Sequence, residues 1–158
     1  MEYMAVKWLH VIFSTLLFGT GLGTAFFMLT TSLGGDVRSI ATVSRRVVWA
    51  DWLFTTPTAI LQPLTGAWLV HLAGFPWSAP WILWSVVLYA IAGACWLPVV
   101  WLQMQMAAMA EDAAARGEPL PPRFWRFHRI WFALGWPAFT AFLAIFWLMV
   151  AKPSASAA

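Results

Sequence analysis

The sequence predicts an all-α protein: a polytopic membrane four-helix bundle whose helices are kinked by proline. Two observations lead there. Of 158 residues, 62% are hydrophobic and only 9% are charged, with a mean hydropathy of +0.76. From Trp52 to Ala110 there is no Asp, Glu, Lys or Arg. One span takes roughly 20 apolar residues, so that stretch holds two spans joined by a short turn.

The first span is expected over about residues 4–32 and ends at LGGD. Its apolar run is too long for a secretory signal and lacks an Ala-x-Ala cleavage site, so it is read as retained. The second runs over about 47–73 and ends at GFPWSAP. The third and fourth run over about 80–110 and 124–151, and residues 152–158 read as a disordered tail. Trp8, Trp49, Trp52, Trp77, Trp81, Trp125 and Trp147 fall near segment ends. An indole there keeps its ring in hydrocarbon and its N–H in water. Pro57, Pro63, Pro98 and Pro137 lie inside spans, and each removes a backbone donor and kinks its helix.

Charge sets the expected topology. Arg38, Arg45 and Arg46 lie in the first connection, and Arg116, Arg123, Arg126 and Arg129 lie in or beside the third. The second connection carries no charge. The positive-inside rule therefore puts both termini outside an inner (cytoplasmic) membrane. The net charge of +3 belongs to this pattern and not to nucleic-acid binding. Cys95, alone in an apolar segment, is expected to be a small buried packing residue; neither a Cys-x-x-Cys motif, a zinc cluster nor a nucleophile triad is present.

Two faces carry chemistry. On the first span His10 shares a face, at roughly 100° per residue, with Ser14, Gly21 and Thr24. A neutral imidazole in a span is either a ligand for haem iron, copper or zinc or an interfacial group bonded to a carbonyl. Ser14, Gly21 and Thr24 thin the surface below it, where a flat cofactor or another helix fits. GTGLGT is not a dinucleotide fingerprint, since Thr24 stands at the third glycine position and no strand precedes it. Gly19 and Gly23, nearly opposite His10, form a small-residue face for helix packing. On the second span Asp51, Thr55, Thr58, Gln62 and Thr65 recur at spacings of four, three, four and three. That polar stripe must face the bundle interior. Asp51 is expected to pair with Arg45, Arg46 or Arg129, and Gln62 to bond across helices. His71 lies on the same outer side as His10 and is a candidate second ligand, although a regular helix turns it away from the stripe. His128, in RFWRFHRIW, is expected at headgroup level.

KWLHVIFSTLLFGTGLGTAFF, ADWLFTTPTAILQPLTGAWL, YAIAGACWLPVVWLQMQM and FWRFHRIWFALGWPAFTAFLAIFWLMVAKP resemble the predicted integral membrane proteins called domain of unknown function 2269, over nearly the whole chain. More distantly, the chain is similar to HemJ-type protoporphyrinogen oxidases and CopD-like copper-resistance proteins. The shared marks are Lys7-Trp8-Leu9-His10, Thr56-Pro57, Gly66 to Leu69 and Lys152-Pro153. The resemblance to the HemJ-type family implies b-type haem on His10, serving redox chemistry or electron transfer. Two of that family's marks, a lysine opening the third span and an arginine late in the first, have no counterpart in WSAPWILWSVVLY and TAFFMLTTS. Other expectations are a non-catalytic assembly or transport subunit, as a homo-oligomer or with a membrane partner, and copper handling through Met4, Met28 or Met104.

Overall fold

The computed structural model describes residues 1–153. The expected tail over 152–158 therefore lies, from residue 154 on, outside the described residues. Helix α1 spans Glu2–Gly34, α2 spans Val37–Ala50, α3 spans Thr56–Ala73, α4 spans Pro80–Arg116 and α5 spans Pro122–Ala151. A π turn over Asp51–Thr55 joins α2 to α3 without a break. No strand occurs among the described residues.

The helix stops follow local chemistry. Gly35 and Gly74 end α1 and α3 with φ of 77° and 68°, a region that a Cβ disfavours. The Asp36 carboxylate accepts from Ser39 N at 2.9 Å and caps α2. Pro80 and Pro122 open α4 and α5, where no donor is needed.

One boundary differs from expectation. Residues 37–46, expected as a loop, are helical. Ile40, Ala41, Ser44 and Val47 are buried on one face of α2, while Arg38, Arg45 and Arg46 are exposed. The segment is amphipathic, so a search for long apolar runs passes over it.

Three helices, α1, α4 and α5, are long and apolar enough to cross a membrane. The second expected span reaches only 18 residues in α3, and its polar stripe lowers its apolarity. The surface is that of a protein in lipid: Leu22, Phe26, Phe27, Leu53, Leu83, Trp84 and Leu97 are exposed, more apolar surface than a soluble domain leaves to water.

Helix α1 packs on α2 and α3, α2 on α4, and α4 on α5. Met28, Ile40, Val47, Met106, Phe124 and Trp131 form a tight core at the arginine-bearing end. Toward the other end α1 stays on α3 and α4 on α5, and the two pairs meet where Phe18 stacks on Phe139 and where Val70, Phe75, Trp81, Ile82 and Leu148 pack together.

Proline shapes the backbone of α3 and the turn before it. Thr56 N–H donates five residues back, to Asp51 O, a wide turn just before Pro57. Pro63 has no N–H for the Ala59 carbonyl. Tyr89 of α4 donates its hydroxyl to that carbonyl at 2.6 Å, as a bilayer core requires of any freed backbone group.

Candidate functional site

Two features lie along the α1–α3 face, one a polar clasp and the other a mainly apolar cavity. The first is a clasp between His10 and Ser14 on α1 and Gln62 and Thr65 on α3. The Ser14 hydroxyl donates to His10 O at 2.8 Å, and the Thr65 hydroxyl donates to Leu61 O at 2.8 Å. Both hydroxyl hydrogens are thus engaged, and the two oxygens act only as acceptors. Thr65 Oγ1 accepts from His10 Nδ1–H at 2.9 Å. Ser14 Oγ accepts from Gln62 Nε2 at 2.5 Å. The second amide hydrogen of Gln62 goes to His10 Nε2 at 3.1 Å. His10 is therefore the neutral Nδ1–H tautomer with both ring nitrogens bonded. Glycine permits the approach: a Cβ on Gly66 would stand 3.2 Å from His10 Cε1.

The second assembly is a cavity of about 580 Å³ between the two helix pairs, within the usual range for small-molecule sites. Phe18, Gly21 and Thr24 of α1 and Asp51 and Thr55 of the π turn form one side. Tyr89, Gly93, Trp96 and Gln103 of α4 and Trp131, Gly135, Trp136 and Phe139 of α5 form the other. Phe18 closes one wall by stacking on Phe139 at 5.6 Å and meeting Phe146 edge-on at 5.2 Å. Leu22, Ile60, Leu97, Phe132 and Trp136 line the cavity and are exposed, so its mouth is apolar. Added Cβ atoms on Gly21, Gly93 and Gly135 would meet nothing within 4 Å.

The foot of the cavity is polar. Asp51 is 3% exposed and accepts from the Thr55 hydroxyl at 2.9 Å. Gln103, 5% exposed, lies beside Asp51, and its Oε1 is buried without a partner.

The expected cofactor face is thus divided. His10 and Ser14 join the clasp, whereas Gly21 and Thr24 line the cavity. His71 is exposed and belongs to neither group. The polar stripe does face inward, with Asp51 and Thr55 at the cavity, Thr58 donating to Phe54 O, and Gln62 and Thr65 in the clasp. Asp51 pairs with no arginine among the described residues; the π turn aims it inward while Arg45 and Arg46 point out, Arg45 toward Glu111 at 3.8 Å. His128 is 7% exposed, packed among Phe124, Trp125 and Trp131 and not at the surface. Gly19 and Gly23 have no neighbour within 4 Å of an added Cβ, so no helix of this chain packs closely there. Gln103, Tyr89, Gly93 and Gly135 line the cavity, and no sequence pattern marks them; Gly66, one of the Gly66 to Leu69 marks, faces His10. Gly66 and Tyr89 carry a signal only in combination with His10 and Pro63.

Among the described residues no three His, Cys, Asp or Glu side chains converge as a metal site. A family model described as a predicted integral membrane protein (DUF2269) matches residues 4–153. No curated protein and no solved structure matches the chain.

Proposed function

Since the chain belongs to that family of predicted integral membrane proteins, DUF2269, we propose that it is a binding protein for a lipid-borne apolar molecule. The observation that carries this reading is the cavity with its apolar mouth. Three helices each bring a glycine to it, and no side chain fills the space they leave. In lipid, helices associate through close packing, so three glycines facing an open space serve that space and not the packing. The aromatic walls suit a flat or chain-like molecule entering sideways from the bilayer.

The haem implied for His10 does not fit the clasp as built. The Nδ1–H bond to Thr65 does give the tautomer that a metal-binding histidine needs. The Nε2 lone pair, however, accepts from Gln62, and His10 does not line the cavity. Haem ligation by His10 requires an arrangement other than this one. His71 is exposed and makes no second ligand here.

The reading places the arginine-bearing end in the cytoplasm of an inner membrane and both termini outside. It takes α2, the π turn and α3 together as the fourth crossing element. Fusions of a periplasm-active reporter to the C-terminus test that side.

The binding reading is tested by extracting the protein in mild detergent and analysing co-purified small molecules by mass spectrometry. A Gly93→Leu, Gly135→Leu double variant fills the cavity where added atoms meet nothing. It should fold as the parent does and lose one or more organic-soluble species. An unchanged profile from a folded double variant would overturn the proposal.

A further inference from the structure

The cavity holds an acid without a base. Among the residues lining it there is one carboxylic acid, Asp51, and no Lys, Arg or His. The ion pairs of the described residues join Arg45 to Glu111 and Arg116 to Asp112 and Glu118, and none includes Asp51. The Thr55 hydroxyl donates to Asp51 Oδ1 at 2.9 Å, an arrangement that suits an ionised carboxylate. A carboxylate taken out of water without a counter-charge is costly, and an acid inside a span marks a functional position whose partner has to be found. Among the described residues no cation stands by it, so the partner's place is left to a ligand.

Wall and mouth narrow the kind of cation. Phe18 of α1, Tyr89 and Trp96 of α4 and Trp131, Trp136 and Phe139 of α5 line the space, and aromatic rings attract a cation as well as apolar surface. Their indole N–H groups are neutral donors and supply no counter-charge. The exposed residues at the mouth, Leu22, Ile60, Leu97, Phe132 and Trp136, offer no acceptor to a hydrated ion. A metal ion or a small ammonium would shed its water there at high cost. A large cation with its charge spread over an apolar body loses far less.

We infer that the cavity takes a lipophilic cation: a flat, otherwise apolar molecule with a delocalised positive charge, its rings against the indoles and its charge balanced by Asp51. The attraction acts across a low-dielectric space, so the cation need not touch a carboxyl group that is only 3% exposed. This rests on the cavity being a ligand site, and the experiment separates the two claims.

The full chain in nanodiscs of uncharged phosphatidylcholine is titrated with tritiated N-butylacridinium and with tritiated 9-butylanthracene, and empty nanodiscs give the blank and the share of each probe in the lipid. The two probes have one shape, and only the first is charged. At equal concentration in the lipid the cation should bind at least about tenfold more tightly. Asp51→Asn should bring its affinity down to that of the hydrocarbon and leave hydrocarbon binding as it was. The Gly93→Leu, Gly135→Leu double variant should lose both probes. Equal binding of the two to the parent protein, or binding of the hydrocarbon alone, overturns the cation inference and leaves the cavity reading standing. A difference that persists in Asp51→Asn overturns the choice of counter-charge. A folded glycine double variant that binds the cation as the parent does overturns the cavity as its place. If neither probe binds above the blank the cation inference falls, and the cavity reading is decided by the species lost from the double variant. Because the two probes are compared on the parent protein, the first of these tests holds even if Asp51→Asn does not fold.

Discussion

Tyr89 offers a quantitative test of how this bundle handles its prolines. Its hydroxyl donates at 2.6 Å to the Ala59 carbonyl, which Pro63 leaves without the donor that a regular helix supplies four residues on. Interhelical hydrogen bonds in membranes are usually weak, about 0.6 kcal/mol, because the separated helices also find partners. Ala59 is different: in a separated α3 its carbonyl still lacks the helical donor. The bond should therefore lie toward the upper end of the net range for one intramolecular hydrogen bond, about 1.5 kcal/mol. Pro63→Ala restores the N–H, and Tyr89→Phe in that background should cost only about 0.5 kcal/mol, giving a coupling of roughly 1 kcal/mol. The assay is reversible unfolding in mixed micelles with increasing SDS, followed by far-UV circular dichroism on the parent, both single variants and the double. An equal cost of Tyr89→Phe in both backgrounds would refute the reasoning, since Tyr89 would then not be replacing the proline's missing donor.

Two further predictions concern the clasp. Gly66→Ala places a Cβ 3.2 Å from His10 Cε1, so the ring must shift and its bonds weaken; the variant should lose about 1 kcal/mol in the same assay despite alanine's better helix propensity. In a His10→Ala background the same substitution should instead stabilise, and an unchanged sign would show that the ring is not what Gly66 accommodates. His10→Ala by itself frees two engaged groups, on Gln62 and Thr65, and should destabilise by about 1–2 kcal/mol. It should leave the visible spectrum of protein made with ample haem unchanged, and a Soret band present in the parent and lost in His10→Ala would sink the clasp reading.

The stripe from Asp51 to Thr65 was legible because polar side chains in an apolar run are costly unless they face inward, and their helical spacing shows which side that is. The cross-helix role of Gln62 followed from its depth. The division of the first span's polar face was not legible. His10, Ser14, Gly21 and Thr24 do share a face, but α1 lies on α3 at the clasp and borders the cavity further along. Periodicity identifies residues that look the same way; it does not say which element stands opposite at each level. Gln103 and Tyr89 stand singly in an apolar run, so no spacing marks them. Asp51 was expected to meet an arginine because the residues before it are basic, and the wide turn at Asp51–Thr55 redirects it. Such turns recur at functional sites, and here this one turns the buried carboxyl group toward the cavity.

An acyl chain from the bilayer would fill an apolar space of almost any shape, so the cavity's size alone does not distinguish a ligand site from a lipid crevice. The co-purified species does distinguish them: a crevice retains the bulk lipid, a ligand site one compound out of proportion to it. Filling the cavity with hydrocarbon restores the dispersion contacts that Gly21, Gly93 and Gly135 forgo but leaves Gln103 Oε1 as it stands, buried and without a donor. Gln103→Leu removes that acceptor together with the amide beside Asp51; a gain of stability in plain lipid would show that the unpaired acceptor is the larger of the two effects. If Gln103→Leu destabilised the protein in plain lipid, the amide would instead be holding Asp51 and the π turn in place, and its role would be structural.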